Sequence, residues 1–125
     1  MTERSPRFVT TITPQRLSFA GGGTDFADFY LHHGGAVVSA TIDKFVYVTV
    51  KRHSELFDEK YRLSYSLTEH VDDLDLIKND IARECLRFLN VDPPLFISTT
   101  SDLPVSSGLG SSAVLLSGYC LRCIA

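Results

Sequence analysis

Apolar and polar positions alternate most cleanly at Tyr61, Leu63, Tyr65 and Leu67, which interleave with Arg62, Ser64, Ser66 and Thr68. A period of two predicts a half-buried β-strand there. The β-branched and aromatic run from Phe8 to Thr13 predicts another strand, ending at Pro14. Arg16 to Ala20 reads as a second extended piece, running into Gly21-Gly22-Gly23. Thr24 or Asp25 can then cap a short helix to roughly Leu31, stopped by Gly34-Gly35. Ala36 to Ala40 and Phe45 to Val50 predict two further strands, joined through Asp43-Lys44. From Asp72 to Asn90 the period lengthens to that of a helix. Ile77, Ile81, Cys85 and Phe88 recur at helical spacing, acids gather at the start, and Asn90 is suited to end it. Pro93-Pro94 breaks the chain before a strand from Phe96 to Thr100, and Ala113 to Leu116 open a last helix.

Strands clustered in the first half, with few helices between them, predict an α+β sheet covered on one face, not a doubly wound parallel sheet. The last helix reaches Ala125 with no Gly, Pro or polar stop in its apolar run from Tyr119. Its surface asks for a partner, so the chain reads as the front part of a larger domain. A small module with an exposed helix is the alternative.

Composition narrows the class. With 125 residues and 44% hydrophobic content, one small domain has room for a core. A net charge of −3 without any block of like charge disfavours a nucleic-acid partner. The N-terminus lacks an apolar signal core and no run is long enough to span a bilayer, so a soluble, cytoplasmic protein is expected. Three cysteines argue against a secreted disulfide framework. Cys120 and Cys123 form a C-x-x-C, but no second pair accompanies them. With Cys85 they read as buried small hydrophobes.

Two stretches carry candidate chemistry. Pro104 to Ala113 joins the last predicted strand to the last helix and holds Ser106, Ser107, Gly108, Leu109, Gly110, Ser111 and Ser112. Glycines let the backbone turn and expose its N–H groups, and a helix N-terminus attracts anions. That combination suits a polyphosphate, with a serine oxygen available for magnesium. The competing reading is a turn with a serine N-cap. No Lys follows the glycines, so the loop is not a Walker A motif, and Ala113 excludes G-x-G-x-x-G. The second stretch runs from Pro14 to Phe26. Gly21, Gly22 and Gly23 permit close backbone approach, Thr24 and Asp25 offer oxygens to sugar hydroxyls, and Arg16 offers a cation to a phosphate. Its competing reading is an Asp-capped turn beside a surface arginine.

Together the two stretches resemble the motifs of the GHMP kinase superfamily. Pro, three residues, then Gly-Leu-Gly-Ser-Ser-Ala is similar to its nucleotide-phosphate motif. Arg16, Thr24 and Asp25 fall on the Arg, Thr and Asp of its N-terminal motif. Gly22 and Gly23 stand where galactokinases carry Glu and His, which puts a galactose-type site in doubt. The triple glycine, Tyr30, Gly34-Gly35 and the segment from Tyr65 to Val71 resemble the D-glycero-D-manno-heptose 7-phosphate kinases within that superfamily.

The resemblance implies the N-terminal part of a ribosomal-protein-like two-layer α+β domain, with helices on one face of the sheet. It implies ATP and Mg2+ as cofactors, and phosphoryl transfer to a sugar phosphate at the anomeric hydroxyl. Ser106 to Ser112 would wrap the ATP phosphates, with Ser112 on the metal. Arg16 would lie near the transferred phosphoryl group, and Gly21, Gly22, Gly23, Thr24 and Asp25 would face the sugar. The catalytic Asp and closing motif of many relatives fall beyond the region matched, so the 125-residue chain is expected not to turn over ATP. A non-catalytic nucleotide- or sugar-binding remnant, or a fucose- or mevalonate-type kinase, stays open as an alternative.

The remaining polar residues read as ordinary surface. His32, His33, His53 and His70 are expected on surfaces or loops, and Asp72, Asp73 and Asp75 as helix-start charges. Lys51 and Arg52, with Arg62, can reach a sugar phosphate or simply line a solvated strand end.

Overall fold

The computed structural model describes residues 8–54 and 56–104. Five strands form one mixed sheet: β1 (Phe8–Ala20), β2 (Val38–Arg52), β3 (Tyr61–Ser64), β4 (Thr68–Val71) and β5 (Leu95–Ser101), in spatial order β1-β2-β5-β3-β4. All neighbours are antiparallel except β3 and β5, which run parallel. A short helix α1 (Ala27–His33) lies in the β1–β2 connection, and helix α2 (Asp80–Leu89) in the crossover from β4 to β5.

The expected α+β sheet is observed, with differences in its elements. β1 runs through Pro14 without a break, because β1 is an edge strand and can spare the missing N–H. The two strands expected on either side of Asp43-Lys44 are one strand. Pro14 pairs with Phe45 and Arg16 with Thr41, so Gln15 alone opposes Ile42, Asp43 and Lys44. That bulge absorbs the polar pair without ending β2. The alternating segment at 61–68 is not one strand. It turns after Ser64, where the Tyr65 N–H donates to the Leu67 carbonyl at 2.9 Å, and returns as β4.

One face of the sheet is dry. Val46, Val48 and Val50 of β2, Tyr61 and Leu63 of β3, and Leu95 and Ile97 of β5 pack with Ile77, Ala82, Cys85 and Leu86. Each such aliphatic side chain, fully buried, stabilises the fold by about 1.5–3 kcal/mol. The helix expected from Asp72 begins only at Asp80. Asp73 caps a single 3-10 turn at Leu74–Leu76, Ile77 is extended, and Asn79 accepts from the Ala82 N–H to start α2. Ile77 therefore enters the core from outside the helix. The apolar row shifts to Ala82, Cys85, Leu86 and Leu89, leaving Phe88 88% exposed. Asn90, in the left-handed region at φ 49°, ends the helix as expected. His53, expected on a surface or loop, lies in the loop after β2 but is only 8% exposed, its imidazole stacked on Phe57.

Glu69 ties β4 to the start of α2. Burial pushes its carboxyl up, but hydrogen bonds from the Tyr65 hydroxyl and the Lys78 and Asn79 N–H groups outweigh this and hold it below its usual 4.5. A carboxyl depressed on folding stabilises the protein above its unfolded value, and the contribution is lost as pH falls through the folded one. Glu69→Gln is therefore expected to be less stable than the wild type at neutral pH. The gap should close as the pH is lowered from about 5 towards about 3. Urea denaturation of both proteins across that range measures it.

Candidate active site

Beyond the bulge, β1 and the start of β2 leave the core and form a two-stranded arm with α1 at its tip. Arg16–Thr41, Leu17–Ala40, Ser18–Ser39 and Ala20–Val38 pair along it, and most of its side chains are exposed. The arm closes by contact of backbone with backbone. Gly21 has φ +86°, and a Cβ there would lie 1.9 Å from the Ala36 carbonyl oxygen. Gly35 stands across the same junction, where a Cβ would lie 2.3 Å from the Thr24 carbonyl oxygen. Gly22, by contrast, faces open space. Two of the glycines in this region are thus required by the chain's own closure.

The Thr24 hydroxyl staples that junction. It donates to the Gly21 carbonyl at 2.7 Å, has the Ala36 carbonyl within reach at 3.1 Å, and accepts from the Ala36 N–H at 3.2 Å. Asp25 does not cap α1, whose N-cap is Phe26 without a side-chain bond. Its carboxylate turns back instead and accepts from the Gly23 N–H at 3.1 Å. Thr24 and Asp25, with Tyr30, Gly35, Ala36 and Val37, line a hollow of about 430 Å3. A carboxylate held by one oxygen, at the edge of a hollow with apolar walls, is suited to accept from a polyol hydroxyl. Tyr30 entered the sequence reading only as part of the resemblance, and Ala36 and Val37 carried no chemical signal at all.

Arg16 is exposed and forms no ion pair among the described residues. Its neighbour Gln15 points the other way and is 1% exposed. The Gln15 Nε2 donates to the Ser101 Oγ at 3.0 Å, reaching across β2 to a residue 86 positions along the chain. Ser101 Oγ also accepts from the Leu103 N–H at 3.2 Å. Asp102 completes the joint: its carboxylate accepts from the Phe45 N–H at 2.8 Å, and its own N–H donates to the Phe45 carbonyl at 3.0 Å. The strand bearing Arg16 is thereby fixed to the exit of β5. The sequence reading missed Gln15. Its parity with Val9, Thr11 and Thr13, which share the inward side of β1, was the available signal.

Ser106, Ser107, Gly108, Leu109, Gly110, Ser111 and Ser112 lie outside the described residues, as do Cys120, Cys123 and the last helix. Among the described residues no group of three or more His, Cys, Asp or Glu is placed to hold a metal ion, and no helix is long and apolar enough to cross a membrane. Lys51 and Arg52 do not reach the arm hollow. Lys51 stands thirteen residues beyond Val38 on β2, on the order of 40 Å away at strand rise.

No family model matches the sequence. A D-glycero-alpha-D-manno-heptose 7-phosphate kinase of Campylobacter jejuni is 32% identical over 119 residues, covering 88% of this chain and 35% of that protein. The fold is shared with a D-glycero-D-manno-heptose 1-phosphate kinase from Bacteroides thetaiotaomicron, at TM-score 0.70 and 22% identity over 88% of this chain and 39% of the other. Methanococcus jannaschii mevalonate kinase superposes at TM-score 0.61 and 22% identity, over 91% and 39%. The chain thus spans little more than a third of the relatives it matches. With the glycine–Thr-Asp arm, the mixed sheet and a sequence relative of this kind, the chain resembles the N-terminal part of the GHMP kinases.

Proposed function

We propose that the chain provides the sugar-holding half of an ATP-dependent kinase whose acceptor is the anomeric hydroxyl of D-glycero-D-manno-heptose 7-phosphate. The observation that carries this is the arm hollow, with Asp25 at its edge and its backbone closed by Gly21 and Gly35. The 32% identity to a heptose 7-phosphate kinase supports this choice of sugar over other acceptors of the superfamily. Such a kinase would work in the cytoplasm, where ATP and phosphorylated sugars are available.

MgATP, when bound, would supply the phosphoryl group; Ser106 to Ser112 would hold its phosphates, and Ser112 the metal. The described residues would hold and orient the sugar. Asp25 accepts from sugar hydroxyls, and the Gly23 N–H holds its carboxylate in place. Arg16 offers positive charge where phosphate charge accumulates. The Gln15–Ser101 bond keeps that cation in register with the exit of β5. Phosphoryl transfer depends mainly on such positioning and charge stabilisation.

Isothermal titration of the 125-residue chain with D-glycero-D-manno-heptose 7-phosphate tests the reading. Saturable binding is expected, weakened about tenfold or more in Asp25→Ala, the loss of one charged hydrogen-bond acceptor. A folded wild-type chain that shows no saturable binding of the sugar phosphate would sink it.

A further inference from the structure

The strand registers build a second polar surface on the face of the sheet opposite the core. Lys51, Phe96, Arg62 and His70 are cross-strand partners in one row, and Thr49, Ser98, Ser64 and Thr68 in the next. Period two sends both rows outward, since Val50, Ile97 and Leu63 between them face the core. Cations thus stand beside a ladder of hydroxyls on a rigid platform.

Above the platform lies a hollow of about 330 Å3, bounded by Lys51, Arg62, Ser64, Thr68 and the stacked pair His53–Phe57. A neighbouring hollow of about 540 Å3 shares Lys51, His53 and Phe57 and extends to Phe8 and Pro94. No carboxylate lines either hollow among the described residues. Lys51 forms no ion pair among them. The Arg62 guanidinium is laid over the Phe96 ring, 5.9 Å from its centroid, and meets Glu59 only loosely at 3.8 Å. Glu59 spends its closer contact, 3.1 Å, on His70. His53 borders both hollows and is 8% exposed, and its buried Nε2 has no hydrogen-bond partner among the described residues.

We propose that this outer face binds a small phosphorylated metabolite, its phosphomonoester group held by Lys51 and Arg62 with Ser64 and Thr68 donating from below. A tetrahedral dianion offers acceptors in several directions, which matches an ammonium, a guanidinium fork and two hydroxyls better than a planar carboxylate does. The organic part of the ligand lies in the adjoining hollow against Phe8, Phe57 and Pro94. The site is separate from the arm hollow, at the opposite end of β2.

The test is a set of two-dimensional amide NMR titrations of the 125-residue chain with inorganic phosphate, glucose 6-phosphate and AMP. Saturable shifts are expected at the amides of Lys51, Arg62, Ser64 and Thr68. They should weaken about tenfold in Lys51→Ala, an exposed position whose replacement leaves the α2 resonances in place. Tighter binding of either ester than of inorganic phosphate assigns the adjoining hollow to the organic group. Glucose 6-phosphate or AMP as the tighter ester says whether that group is a polyol or an aromatic base. The proposal is overturned if none of the three probes shifts these amides saturably, or if Lys51→Ala binds as the wild type does. Shifts confined to the arm amides of Thr24, Asp25 and Ala36 overturn it equally, without touching the function proposed for the arm.

Discussion

Gly21→Ala is expected to weaken sugar-phosphate binding at the arm strongly while leaving the sheet and α2 folded. The new Cβ would fall 1.9 Å from the Ala36 carbonyl oxygen, a backbone atom that cannot rotate away. The positive φ of +86° adds about 1–2 kcal/mol for any L side chain. The junction between Gly21 and Ala36 must open, and with it the Thr24 hydroxyl bonds and the wall of the hollow. The arm stands outside the core, so the midpoint of global unfolding should move little. Affinity should fall more than about tenfold, which corresponds to 1.4 kcal/mol or more of distortion. Gly22→Ala is the control: its Cβ meets nothing, and its binding should stay within about threefold of the wild type. Calorimetric titration and thermal melts of both variants make the comparison. Equal affinities for Gly21→Ala and the wild type would show that the close approach does not shape the site.

Leu86→Ala is expected to cost about 2–5 kcal/mol of folding free energy. Leu86 is 1% exposed and packs in the hydrophobic cluster where α2 meets the sheet. Its truncation removes buried methyl groups and leaves a cavity that the rigid strand valines cannot collapse into. That is a large share of the 5–15 kcal/mol typical of a domain. Phe88→Ala, two positions further along the same helix, should change stability by no more than about 0.5 kcal/mol, because that ring lies in water. Urea denaturation curves for the two variants should separate clearly at the midpoint. Similar shifts for both would mean that the helix seats on the sheet by a different face.

That contrast between Leu86 and Phe88 marks one limit of reading the sequence. Helical spacing proposed Ile77, Ile81, Cys85 and Phe88 as one stripe, which assumes a single helix from Asp72. Asn79 starts the helix later by capping Ala82, and a shift of the start turns the stripe. Caps, turns and alternation are local, and several were legible: Asn90 as a helix end, Gly34 as the stop of α1, and Tyr61 and Leu63 as inward residues of a strand. Strand continuity was less legible. Pro14 and Asp43-Lys44 look like breaks in a one-dimensional reading, whereas an edge position excuses the first and a bulge absorbs the second.

By itself the sequence determined the α+β class, the glycine–Thr-Asp and serine–glycine motifs, and the family those motifs resemble. Each depends on residue types at short spacing, where backbone preference and hydrogen-bonding capacity act within a few positions. Only the tertiary structure decided what the glycines approach, since Gly21 is pressed against Ala36 by the pairing of two strands. The same holds for Gln15 and Ser101, joined across β2, and for Lys51 and Arg62, brought into one row by strand order β2-β5-β3. Contacts between distant residues are set by register and sheet order. Those follow from how the whole apolar face is buried, a quantity that no local stretch of sequence contains.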